Sequence, residues 1–156
     1  MCAKMSTDIL EILHDLPSLE FKHPLLGGKD PDTWPDWFVG EKSPYPYYTK
    51  LAEILQPKKV LEIGALVGYS LISMLDGADS IEEVFWVDNE SYVPCSNILC
   101  ASNLIYYLEH YYETPRPLIM GHGRTRSSLL RFVDKNHFDL IHIDGEHSFE
   151  GNYKIY

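Results

Sequence analysis

The sequence is short of positive charge. Thirteen lysines and arginines stand against 23 aspartates and glutamates, a formal net charge of −10. Such a chain projects no basic field to steer a phosphate backbone or an anionic membrane surface toward it, which argues against nucleic acid or membrane as the main partner. The nearest approach to a basic cluster, Arg124, Arg126 and Arg131, is too sparse for a footprint and reads as ordinary solvated charge. Cysteine is scarce as well. Cys2, Cys95 and Cys100 are odd in number and have no metal-ligand spacing, and a separation of five does not stack Cys95 on Cys100 along one helical face. A disulfide framework is therefore not expected, and a reducing, cytoplasmic setting fits. Long apolar runs are missing: none approaches the roughly 20 residues of a membrane span, and the opening "MCAKMSTDIL" has no secretory apolar core. The expectation is a soluble protein whose 156 residues form one domain with a substantial core.

What is present divides into an entry segment, residues 1–44, and a core, residues 45–156. In "TDILEILHDL", Ile9, Leu10, Ile12, Leu13 and Leu16 fall at helical spacing, with Thr7 or Asp8 as cap and Pro17 just past the end. Residues 22–46 hold Pro24, Gly27, Gly28, Pro31, Pro35, Pro44 and Pro46 with Trp34, Trp37 and Phe38 between them. So many breakers exclude a long regular element, while the aromatics argue for order. Two readings stay open: a loop lying over a site, or a packed connector.

From residue 47 a rhythm of helix and strand sets in. "YYTKLAEILQ" predicts a helix ended by Pro57, "KVLEIG" a buried strand, "GYSLISML" a helix, and "EVFWVD" a second strand. "VPCSNILCASNLIYYLEHYY" predicts a long helix with Ile98, Leu99, Leu104, Ile105 and Leu108 turned inward. "RPLIMG" predicts a third strand, "RSSLLRFVD" a further helix and "HFDLIHID" a fourth strand. Near-continuous apolar strands alternating with helices predict an α/β fold, a doubly wound parallel sheet covered on both faces, with right-handed crossovers.

In such a sheet ligands collect at the carboxyl ends of the strands. The first strand carries Glu62 and ends at Gly64, the second ends at Asp88 and the fourth at Asp144, which puts three carboxylates on one rim. A strand that becomes a helix between Gly64 and Gly68 needs positive φ or a missing side chain there, and the helix start offers unpaired amides. Asp88, 20 residues after Gly68, is where a carboxylate can accept both ribose hydroxyls of a nucleoside. A dinucleotide fingerprint would need a glycine where Leu66 stands. Glu62 is awkward beside a pyrophosphate but suits a cationic sulfonium ligand with an ammonium group, which favours S-adenosylmethionine over NAD.

"LEIGALVGYS", with Glu62, Gly64, Gly68, Tyr69 and Ser70, resembles the first motif of class I S-adenosylmethionine-dependent O-methyltransferases of the catechol and caffeoyl-coenzyme A types. "FDLIHIDGEHSFEG", residues 138–151, resembles the fourth-strand motif of the related branch that methylates macrolide and antibiotic sugars, with its I-D-G-x-H-x-Y/F-E pattern. The resemblance covers roughly residues 45–156. It implies a Rossmann-like sheet in which Glu62, Gly64 and Gly68, with Ala65 in the turn, frame the methionine part of the cofactor. Tyr69 and Ser70 would contact its polar end, the alternatives being a packing aromatic and a helix-cap hydroxyl. Asp88 would hold the ribose and Gly121 would border the adenine. Asp144 would lie beside the sulfonium and, in the metal-dependent branch, ligate a divalent ion such as Mg2+. Glu146 and His147 become candidates for general base, while His142, inside the fourth strand, reads as a satisfied core histidine.

The family sheet has seven strands in the order 3-2-1-4-5-7-6, and this reading finds the first four, in the order 3-2-1-4. The carboxyl-terminal strands, and the acidic pair that completes the metal site after the fifth, have no counterpart. The fourth strand would be an apolar edge, which implies either a piece of a longer chain, the favoured reading, or a partner chain or second copy over that edge. The function expected is methyl transfer to a hydroxyl of a small-molecule acceptor; the alternatives are a non-catalytic cofactor-binding module and, less favoured, an NAD-dependent dehydrogenase.

Overall fold

The computed structural model describes residues 44–91, 94–111, 117–135 and 137–144. The expected helix at 7–16 and nearly all of the proline- and aromatic-rich segment fall outside them. The described elements run α1 (Tyr45–Leu55), β1 (Lys59–Ile63), α2 (Tyr69–Gly77), β2 (Glu83–Val87), α3 (Ser96–Tyr111), β3 (Ile119–Gly123), α4 (Arg126–Lys135) and β4 (Leu140–Ile143). The four strands form one parallel sheet in the order β3-β2-β1-β4. The alternation is that expected from the residue pattern, and the order is that implied by the resemblance. No helix among the described residues is long and apolar enough to cross a membrane.

Boundaries follow local chemistry. Helix α1 starts at Tyr45 with Pro46 in its first turn, where the missing N–H is no loss. It ends at Gln56, whose left-handed backbone (φ 46, ψ 53) lets its N–H return to the Ala52 carbonyl; Pro57 forbids continuation. The third strand was expected over 116–121 and lies at Ile119–Gly123. Pro117 has no N–H for a ladder, and pairing begins beyond it with Ile119 opposite Glu83.

One face of the sheet presents Val60, Val84, Trp86 and Met120 to α1, α2 and α3, which supply Tyr45, Ala52, Leu71, Met74, Leu75, Cys100 and Leu104 to the larger core. Fully burying the valine, leucine and methionine side chains among them stabilises the fold by about 1.5–3 kcal/mol each. The other face packs Leu61, Val87 and Phe85 against Leu129 and Phe132 of α4 and against Phe138. On β4 the same second face carries Ile141 and Ile143, which are 49% and 42% exposed.

Helix α3 corrects the expectation. Ile98, Leu99 and Ile105 are exposed rather than inward, and the buried stripe is Ser96, Asn97, Cys100, Asn103, Leu104 and Tyr107. The stripe is polar at its amino-terminal end because there it faces a turn with backbone groups to satisfy, not an apolar surface.

Candidate functional site

The turn after β1 is built from positive-φ residues. Gly64 (φ 90), Leu66 (φ 48) and Gly68 (φ 88) all lie in the left-handed half of backbone space. Gly68 also meets α3 closely: a Cβ there would stand 2.7 Å from Cys100 Sγ. The turn is held by the Gly68 N–H on the Ala65 carbonyl at 2.7 Å and by Asn103 Nδ2 donating to the Val67 carbonyl at 2.8 Å. Helix α2 then begins at Tyr69 after an N-cap, Gly68, that has no side chain to cap it, so the positive end of the helix faces the turn.

Beneath the turn lies Glu62, with no exposed surface. Its Oε1 accepts from the Ser70 hydroxyl and pairs with His142 Nδ1 at 2.8 Å. The other ring nitrogen, His142 Nε2, lies 3.1 Å from the Tyr48 hydroxyl. With the proton on Nδ1 the imidazole donates to the carboxylate and accepts the phenol O–H. Oε2 of Glu62 is buried and has no hydrogen-bond partner among the described residues. Burial pushes the Glu62 carboxyl above its ordinary range, and the bonds from His142 and Ser70 pull it only partly back. Burial works against the charged form of His142, but the Glu62 carboxylate, with Asp144 beyond it, outweighs this and holds the imidazole above its usual value. Tyr48 is pushed up to about 12 by burial, then by the charges of Asp144 and Glu62.

Asp88, just past β2, is half-buried. Its Oδ2 accepts the Leu66 N–H at 2.9 Å, and its Oδ1 accepts the Glu90 N–H at 2.7 Å and the Ser96 hydroxyl at 2.8 Å. A carboxylate offers about four acceptor positions. Three are taken within the chain, so holding two ribose hydroxyls requires one of these bonds to be exchanged. Asn97 Nδ2 donates to the Asp88 carbonyl at 2.9 Å, which fastens the strand end to α3. Arg124, from the sparse basic cluster, meets Glu90 Oε2 at 3.2 Å and is thereby an ordinary paired charge.

The sequence-derived residues sort as follows. Glu62, Gly64, Ala65, Gly68, Ser70 and Asp88 come together around one turn. Tyr69 is buried and packs edge-on against Tyr45 of α1, with ring centroids 5.8 Å apart. Gly121 lies inside β3, where a side chain would strike the Phe85 ring at 2.7 Å, so packing on the α4 face accounts for the glycine. Asp144 follows β4, its N–H on the Ile63 carbonyl at 2.8 Å, and is exposed. Glu146 and His147 lie outside the described residues. Among the described residues no three histidine, cysteine or acidic side chains converge; Asp144 alone does not make the oxygen cage a divalent ion needs.

Four contributors were not foreseen. Ser96, Asn97 and Asn103 were hidden by the louder apolar pattern of α3. Tyr48 belongs to a helix that precedes the first motif. His142 is satisfied, as the strand pattern suggested, but by the site carboxylate rather than by the core.

The fold is shared with solved O-methyltransferase structures. An O-methyltransferase from Bacillus cereus in complex with S-adenosylhomocysteine superposes with a TM-score of 0.51 at 19% identity, over 93% of this chain and 56% of that one. The S-adenosylhomocysteine-bound methyltransferase PaMTH1 of Podospora anserina gives 0.51 at 18% identity, over 92% and 58%. The chain thus spans a little over half the length of these structures. No family model matches it, and no curated protein does. At these identities the likeness shows the fold alone, the Rossmann-like sheet that these methyltransferases also have.

Proposed function

We propose that this chain forms the S-adenosylmethionine-binding part of a methyltransferase that acts on a hydroxyl of a small molecule such as a sugar, phenol or natural product. The observation that carries the reading is the positive-φ turn Gly64–Gly68 set on the carboxyl rim of a 3-2-1-4 sheet, with one carboxylate below it at Glu62 and another beside it at Asp88. Both neighbouring structures described above bind S-adenosylhomocysteine at their own sites, which supports assigning the same ligand class here.

In this reading the amides at the start of α2 and in the turn hold the amino-acid end of the cofactor, Glu62 supplies negative charge for its ammonium, and Asp88 exchanges an internal bond for the ribose. Because Glu62 has no exposed surface, the groups over it must shift when the ligand enters. The bound sulfonium supplies an activated methyl. The chain's own task is to align an acceptor oxygen with that methyl and exclude water, while a base takes the hydroxyl proton; we assign that base to Asp144, at the end of β4, or to Glu146 or His147 after it.

The test is calorimetric titration of the folded chain with S-adenosylhomocysteine, with NAD in parallel. Saturable binding of the former alone is expected. Glu62→Gln removes the charge while keeping the shape and should weaken binding about tenfold or more, the scale of a lost charged hydrogen bond of about 1.5–3 kcal/mol. Asp88→Ala should weaken it comparably; unchanged affinity in a folded Asp88→Ala protein would remove the ribose assignment, and absence of binding by the folded wild type would overturn the proposal.

A further inference from the structure

Tyr48 lies on α1, before the glycine turn, yet its hydroxyl ends a chain of contacts that reaches the most deeply buried carboxylate of the site. The Tyr48 and His142 rings are 4.6 Å apart, the Tyr48 hydroxyl meets Nε2, and Nδ1 meets Glu62 Oε1. Ser70 binds that same oxygen from α2. Both fixed contacts therefore fall on one oxygen of Glu62, and the other, Oε2, is buried without a partner among the described residues. A carboxylate pinned on one oxygen from two elements cannot rotate to share its charge between them; it presents the second oxygen in one direction.

We propose that Tyr48 is a positioning residue for the amino-acid end of the cofactor: through His142 it fixes the Glu62 carboxylate so that Oε2 meets a cationic amine. This rests on the cofactor reading above. The Glu62 carboxylate only accepts, so Nδ1 carries the proton; the phenol, bonded to Nε2 and lying against the ring, holds the imidazole in the orientation that aims this N–H at Oε1. Without Tyr48 the ring loses its hold at Nε2 and is free to swing, which weakens the Nδ1–H bond to Oε1 and loosens the clamp. The tyrosine touches no ligand in this scheme. Its effect is confined to ligands that carry an amine at the methionine end.

Two probes separate this from a merely structural role. S-adenosylhomocysteine carries the amino-acid end, and 5′-methylthioadenosine has the adenosine and thioether without it. In the folded Tyr48→Phe protein, affinity for S-adenosylhomocysteine should fall about threefold to tenfold, the loss of one net hydrogen bond, while affinity for 5′-methylthioadenosine stays unchanged. His142→Asn keeps a donor near the Nδ1 position and loses the link to Tyr48. It should copy the Tyr48→Phe result, and the double variant should lose no more than either single one. Equal weakening of both probes, no weakening of either, or additive losses in the double variant would overturn the proposal. If the wild type binds neither probe, the cofactor reading itself falls and takes this inference with it; wild-type binding with an unchanged ratio in Tyr48→Phe overturns the inference alone.

Discussion

Gly68 carries two constraints at once. Its φ of 88° is costly for any residue with a Cβ, and the space that a Cβ would take is already filled by Cys100 Sγ. Gly68→Ala should therefore destabilise the chain by about 1–3 kcal/mol from crowding, with about 1 kcal/mol more from the backbone. In a Cys100→Ala background the crowding part should vanish and the backbone part remain, so urea midpoints for the two single variants and the double variant should show a favourable coupling. This glycine was legible in the sequence because its spacing from Gly64 matches a strand-to-helix turn. The cysteine was not, since nothing in a one-dimensional pattern says which helix will lie over a turn. Ser70 and Asp88 were legible as polar residues at a strand end and a helix start. That Asp88 already bonds to Leu66, Glu90 and Ser96 could be known only from the loop geometry.

Among the elements, α1 is closed by a residue working against its preference. Gln56 adopts the left-handed cap that glycine adopts without cost. It is exposed, so little packing opposes a change, although its side chain donates to the Glu53 carbonyl at 2.9 Å. Gln56→Gly should raise stability by about 0.5–1 kcal/mol, read as a higher thermal midpoint with an unchanged denaturant slope. The elements and their parallel pairing were readable because Val, Leu and Ile cluster in short runs between turn residues and alternate with helices; the strand order was implied by the family resemblance. Helix α3 shows where that reading fails. Apolar periodicity points to Ile98, Leu99 and Ile105, but the helix turns inward the side that can bond to the Val67 and Asp88 carbonyls. Satisfying buried backbone groups outweighed burying three aliphatic side chains.

Across the whole molecule, protons bind more tightly to the folded chain than to the unfolded one at two linked groups. Glu62 and His142 both titrate above their ordinary values of 4.5 and 6.5. A group with a raised folded-state pKa adds stability that is complete below its unfolded value and lost as pH rises through its folded value. Stability should thus decline from mildly acid toward alkaline pH, and the part of the decline above pH 6.5 should flatten in His142→Asn; urea midpoints between pH 5 and 9 would measure it. Asp139 works in the opposite sense. The Lys58 and Lys59 N–H groups hold its carboxyl below its usual 3.8, so its contribution fails only on acidification below that range, outside the same window.

The site is also assembled from very unequal distances along the chain. The Ser70 contact with Glu62 spans 8 residues, whereas the His142 contacts with Glu62 and Tyr48 span 80 and 94. Loop-closure entropy must be overcome before long-range contacts reward it, so the near partner is expected to reach the carboxylate first during folding. Only when β4 arrives at the edge of β1 does the second hold on Oε1 form. Closure of the clamp on Glu62 is therefore expected to coincide with the docking of β4 beside β1, which pulse-labelled amide exchange at Ile141, His142 and Ile143 would check.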